Sequence, residues 1–92
     1  VRGSAYDAKG DRDKAIEDYE DALRLAPNDA EALNDRGYAY AEKGDYDRAI
    51  ADATEAIKIV PKFAEALDTR AYAYAGKGDF DHAITDATAA VE

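Results

Sequence analysis

Between Asn28 and Pro61, apolar and small residues return at intervals of three and four. Leu33, Gly37, Tyr40 and Ala41 form one such stripe, and Ala49, Ile50, Ala53, Ala56, Ile57 and Val60 form a second. That spacing is the signature of amphipathic α-helices, each with one inward face. Lys43-Gly44-Asp45 separates the two stripes: Gly44 suits the left-handed residue after a helix end, and Asp45 suits the N-cap of the next helix. Asn28, three residues ahead of Glu31, has capping-box spacing, and Pro61 ends the second stripe. The same punctuation recurs as Gly10-Asp11 with Pro27, and as Gly78-Asp79. The pattern predicts helices over about 1–9, 12–26, 29–43, 46–60, 63–77 and 80–92.

The punctuation recurs because the chain repeats itself every 34 residues. Ala30–Lys58 and Ala64–Glu92 are identical at 19 of 29 aligned positions, and Arg2-Gly3, Tyr6, Ala15-Ile16 and Asp18 continue the register upstream. A fixed period of this size means stacked units that bury their apolar faces on their neighbours.

The recurring residues resemble the tetratricopeptide (TPR) repeat, a 34-residue helix–turn–helix unit. Its small residue in the first helix corresponds to Gly3, Gly37 and Ala71, and its tyrosine to Tyr6, Tyr40 and Tyr74. Its second-helix alanines correspond to Ala15, Ala49 and Ala83, then Ala22, Ala56 and Ala90; its proline corresponds to Pro27 and Pro61. Leu33 and Leu67 stand where the family often has Trp; Arg2, Arg36 and Arg70 stand where Leu is common; Ala53 and Ala87 replace an aromatic. The resemblance implies an all-α fold: a right-handed superhelical α-solenoid of antiparallel helix pairs, six helices in all. It divides a single domain, 1–92, into a truncated repeat 1–29, a complete repeat 30–63 and a truncated repeat 64–92.

Each arginine is followed 16 residues later by an aspartate on the antiparallel helix. The pairs Arg2–Asp18, Arg36–Asp52 and Arg70–Asp86 are therefore expected to bridge the two helices of a repeat.

Charge removes whole classes of function. A formal charge of −9 argues against nucleic acid or an anionic membrane surface as partner, because both require a cationic patch. No apolar run is long enough to span a bilayer, and the absence of Cys removes disulfides and thiolate metal sites. The sequence starts at Val1, in mid-repeat and without a signal peptide, so it reads as a fragment or processed product. Compartment is not legible, although a soluble chain in the cytoplasm fits better than an exported one.

Catalytic chemistry finds no support. Ser4 has no neighbouring base in sequence, and the one histidine, His82, stands where Lys14 and Arg48 stand in the other repeats, which marks a solvated surface position. The triplets Asp11/Asp13, Asp45/Asp47 and Asp79/Asp81 resemble the start of a calcium loop, but Ala22, Ala56 and Ala90 occupy the place of its closing glutamate. Helix capping accounts for these aspartates. The expectation is a non-enzyme with no metal and no cofactor.

The family resemblance implies a concave groove lined by the first helix of each repeat. The corresponding residues here are Ser4, Asp7 and Ala8; Glu31, Asn34, Tyr38, Ala41 and Glu42; and Glu65, Asp68, Tyr72, Ala75 and Gly76, with Asp35 and Thr69 at the margin. Tyr38 and Tyr72 are additional to the core tyrosines, and acidic residues surround them with no Lys or Arg among these positions. Carboxylate-clamp members of the family capture acidic tails with Lys, Arg and Asn; only Asn34 survives of that set. A protein or peptide segment, weakly a basic one, fits this composition, with the tyrosines stacking on aliphatic, guanidinium or proline groups. The alternative is that the acidic surface only solvates the domain. A different function lies at the ends. Ala83, Ile84, Ala87, Ala90 and Val91 form an apolar stripe on the last predicted helix, suited to self-association by end-to-end stacking or two-fold pairing. In a longer parent protein, further repeats would cover it.

Overall fold

Glycine makes the two hairpin turns. Gly44 has φ 89° and Gly78 has φ 88°, the left-handed region that costs residues with a Cβ about 1 kcal/mol or more. The turned chain then bonds back: Asp45 N–H donates to Tyr40 O, and Asp79 N–H donates to Tyr74 O, both at 2.9 Å. The carboxylates of Asp45 and Asp79 accept from Arg48 N–H at 3.4 Å and His82 N–H at 3.3 Å, capping the following helices as the sequence predicts.

A computed structural model describes residues 8–91, with side chains from Arg12 onward. Five helices run through them: α1 (Ala8–Leu25), α2 (Ala30–Glu42), α3 (Tyr46–Ile59), α4 (Ala64–Lys77) and α5 (Phe80–Ala90). Each packs on the next in the chain, and α2 also meets α4, so α2 and α4 lie side by side with α3 behind them. No helix among the described residues is long and apolar enough to cross a membrane.

Three local expectations are corrected. The break expected at Gly10-Asp11 is absent, because α1 runs through both residues; the predicted helix over 1–9 otherwise falls outside the described residues. Helical glycine costs only about 1 kcal/mol relative to alanine. Among the described elements α1 packs on α2. The first cap is Asp29 rather than Asn28: Asp29 is extended (φ −82°, ψ 96°) immediately before α2, and its carboxylate accepts from Ala32 N–H at 3.1 Å. Val60 leaves the inner stripe because it is the C-cap of α3, with extended φ −128°, and it is 43% exposed.

The interior is built from small residues. Ala49, Ala53, Ala56, Ala66 and Ala73 have no exposed surface, and larger side chains such as Ile16, Leu33, Tyr40 and Leu67 are buried around them. Gly37 lets α3 come close: a Cβ there would sit 3.2 Å from the carbonyl oxygen of Ala49. Two of the expected arginine–aspartate bridges lock the hairpins. Arg36 donates from Nε and Nη2 to the two Asp52 oxygens at 2.8 Å each, and Arg70 does the same to Asp86 at 2.7 and 2.9 Å. Asp52 and Asp86 are both buried, and the bonds they accept raise the pKa of each arginine further. Arg2, the expected partner of Asp18, lies outside the described residues.

Neighbouring repeats join in a fixed register. Lys43 pairs with Asp13, and 34 residues later Lys77 pairs with Asp47 at 2.6 Å. Arg70 Nη1 also donates to Thr54 Oγ1 at 3.2 Å, so this arginine ties α4 to α3 as well as to α5.

Candidate peptide-binding cleft

Asn34, Asp35 and Tyr38 fall on one face of α2, and Asp68, Thr69 and Tyr72 on the same face of α4 one period later. Direct contact between the two helices turns that sequence repeat into a spatial one. These six residues, with Glu65 and with Tyr19 from α1, line a concave cleft of about 510 Å³. Its walls carry the aromatic pair, Tyr38 and Tyr72, with ring centroids 6.0 Å apart and tilted by 40°. Both rings remain about half exposed, whereas Asn34 and Thr69 are buried beneath them.

Two features of the lining are energetically unfinished. Asn34 Oδ1 is buried with no hydrogen-bond partner among the described residues, a state that costs about 1–3 kcal/mol. The carboxylates also crowd one another. Burial raises the pKa of Asp35, and Glu31 and Asp29 raise it further. Burial also raises the Tyr19 hydroxyl, with Asp35 and Asp18 adding to it. Tyr38 is raised first by the Glu42 carboxylate and then by burial. The lining holds Asp35, Glu65 and Asp68 and neither Lys nor Arg.

The cleft gathers seven of the residues expected there and leaves others out. Glu31 is exposed outside the lining, and Glu42 is turned to Arg12, whose Nε lies 3.4 Å from its Oε1. Ala41 is buried in the core, and Gly76 faces the ring of Tyr46. Ala75 is exposed away from the lining, whereas Ser4, Asp7 and the Ala8 side chain lie outside the described residues. Tyr19 was not among the expected residues. Its signal is a broken period, since one and two periods later the chain has Ala53 and Ala87.

On α5, Ile84 is 65% exposed and Val91, just past its end, is 84% exposed; Ala87 is exposed and Ala90 half-buried, but Ala83 is buried against the preceding helix and leaves the stripe. His82 is exposed, as expected, yet it is held. Its ring stacks on Tyr74 at 4.8 Å, and Nδ1 lies 2.7 Å from Asp79 Oδ2, an interaction that lowers the pKa of Asp79.

Comparison with known families assigns the repeat. A tetratricopeptide repeat model matches residues 1–68, and a second matches 64–92. The chain belongs to the tetratricopeptide repeat family. Two solved structures of MamA superpose on this TPR chain with TM-scores of 0.80 and 0.79, each at 31% sequence identity. They cover 88% and 87% of this chain, while it spans 47% and 44% of theirs, a little under half their length. Comparison with curated protein sequences finds no match. TPR architecture is that of a protein-interaction scaffold, and α2 and α4, which carry most of the cleft lining here, are the first helices of their repeats, while Tyr19 comes from the second helix of the repeat before.

Proposed function

We propose that this TPR chain holds an extended, basic peptide or protein segment in the cleft between α2 and α4. The observation that carries the reading is a concave cleft whose wall is acidic and aromatic and holds neither Lys nor Arg. Lys or Arg side chains of the segment would neutralise Asp35, Glu65 and Asp68. Tyr38 and Tyr72 would contribute flat apolar surface and cation–π contacts, each worth about 0.5–1 kcal/mol at exposed sites. Nothing in this scheme requires bond-making chemistry.

A panel of extended peptides with Lys and Arg at alternate positions, and matched Glu versions, tests it by fluorescence anisotropy. The basic series binds, the acidic series does not, and Tyr38→Ala with Tyr72→Ala weakens binding by about tenfold or more. Affinity falls as added salt shortens the screening length from about 10 Å at 0.1 M toward 3 Å at 1 M. Binding that survives both the tyrosine changes and high salt would refute the proposal.

A second reading is association through the outer face of α5, favoured by the exposure of Ile84 and Val91. Absolute mass by light scattering at micromolar and near-millimolar loading tests whether that association joins copies of the chain.

A further inference from the structure

The chain itself shows how it holds a cation against a tyrosine. Arg36 donates to both Asp52 oxygens at 2.8 Å, and its guanidinium carbon lies 5.9 Å from the centroid of the Tyr40 ring. Arg48 lies over the same ring at 5.7 Å, with its Nε 3.5 Å from Asp45 Oδ2. Both cations that lie over a ring face among the described residues are arginines, and each also meets a carboxylate. Lysine is used differently: Lys43, Lys58 and Lys77 pair with Asp13, Glu55 and Asp47. The division follows from chemistry. A guanidinium is planar and weakly hydrated, so its face can stack on a ring while its edge donates two parallel bonds to a carboxylate. An ammonium is a compact, strongly hydrated point charge that a carboxylate alone satisfies.

The cleft sets out the same two partners. On α2, Asp35 stands one turn before Tyr38, and on α4, Asp68 stands one turn before Tyr72, so each helix places a carboxylate beside a ring. The rings meet at 6.0 Å with a 40° tilt that covers neither, since they keep 48% and 46% of their surface exposed. They make one aromatic platform with an aspartate on each of its two helices, and Tyr19 and Glu65 extend the wall around it. Asp35 is half-buried, and burial together with Glu31 and Asp29 raises its pKa, so a cation beside it relieves a charge held at a cost.

We propose that this platform selects arginine over lysine. The cleft seats one guanidinium of the bound segment, its face on Tyr38 and Tyr72 and its edge toward the carboxylates of Asp35 and Asp68. The inference rests on the first reading above and names the side chain which that reading leaves open. Charge cannot make the choice, because arginine and lysine carry the same charge; the rings make it.

Two fluorescein-labelled peptides of equal length and charge, one with Arg and one with Lys at alternate positions and serine between, separate charge from shape. By anisotropy with the full chain, the Arg peptide binds about tenfold more tightly than the Lys peptide. Asymmetric dimethylarginine in place of arginine keeps the charge but blocks paired donation, and weakens binding by about fivefold. Tyr38→Ala with Tyr72→Ala changes two exposed positions and leaves the fold intact by circular dichroism. In that chain the Arg-to-Lys ratio falls to about one, and the residual binding of both peptides keeps its salt dependence. Equal binding of the two peptides to the unmodified chain would overturn arginine selection and leave the basic-segment reading standing. Binding of neither peptide would overturn both. A ratio that survives loss of the two tyrosines would place the selection elsewhere and defeat the platform. Dimethylarginine binding as tightly as arginine would defeat the edge contact with the carboxylates.

Discussion

The two junctions between repeats share a register and differ in how they fill it. At the first, Arg12 on α1 faces Glu42 on α2, with 3.4 Å between Nε and Oε1 and both side chains 31% exposed. At the second, the equivalent positions are Tyr46 and Gly76, where a flat ring occupies the space a side chain would need. A lysine–aspartate pair recurs at the same offset in both, Lys43–Asp13 and Lys77–Asp47. One junction is therefore polar and adjustable, and the other steric and intolerant. A repeat period constrains where chains meet more tightly than what they meet with.

Substitutions can break or sharpen that contrast. The largest effect belongs to what the central hairpin contributes to both junctions. Asp52→Ala strands the Arg36 guanidinium in a mostly buried site and should cost about 3 kcal/mol in denaturant unfolding. Next is Gly76→Leu, which forces a side chain into the Tyr46 ring and should cost about 2 kcal/mol; Tyr46→Ala in the same chain should recover much of it. At the same register in the first junction, Glu42→Ala should cost no more than about 1 kcal/mol, and added salt should erase the difference. The smallest effect lies in the cleft. Asp35 has a raised pKa, so its charged form is disfavoured in the folded chain. That penalty grows as pH rises through the unfolded and then the folded pKa, and is complete above both. Asp35→Asn should therefore stabilise at neutral pH, by less than about 0.5 kcal/mol after solvent screening, and the gain should vanish as pH falls below the ordinary aspartate range.

Periodic features were legible in the sequence because each was written more than once. Gly44 and Gly78, Asp45 and Asp79, and the Arg36–Asp52 and Arg70–Asp86 bridges recur at one offset, so each occurrence checks the other. The cleft followed from the same logic where α2 and α4 translate into each other. What escaped was decided by context. Gly10-Asp11 carries the letters of a turn, yet α1 runs through both residues, since a glycine inside a helix costs only about 1 kcal/mol. Asn28 and Asp29 are equally good caps, and only the backbone entering α2 chooses between them. Tyr19 departs from the period, so a reading built on repetition passed over it although it lines the cleft. Glu42 follows the family pattern and stands outside the lining, beside both Arg12 at the junction and Tyr38 on the cleft wall.

The alanine interior has a consequence best put in the language of mutation. In most domains the damaging change at a buried site is a shortening, which leaves a cavity and costs about 2–5 kcal/mol for a Leu cut to Ala. At Ala49, Ala53, Ala56, Ala66 and Ala73 that route is nearly closed, since only glycine is smaller. Harm at those sites arrives through enlargement instead. A saturation library of this chain should lose its variants there as soon as side chains grow past alanine, while glycine and serine are the survivors.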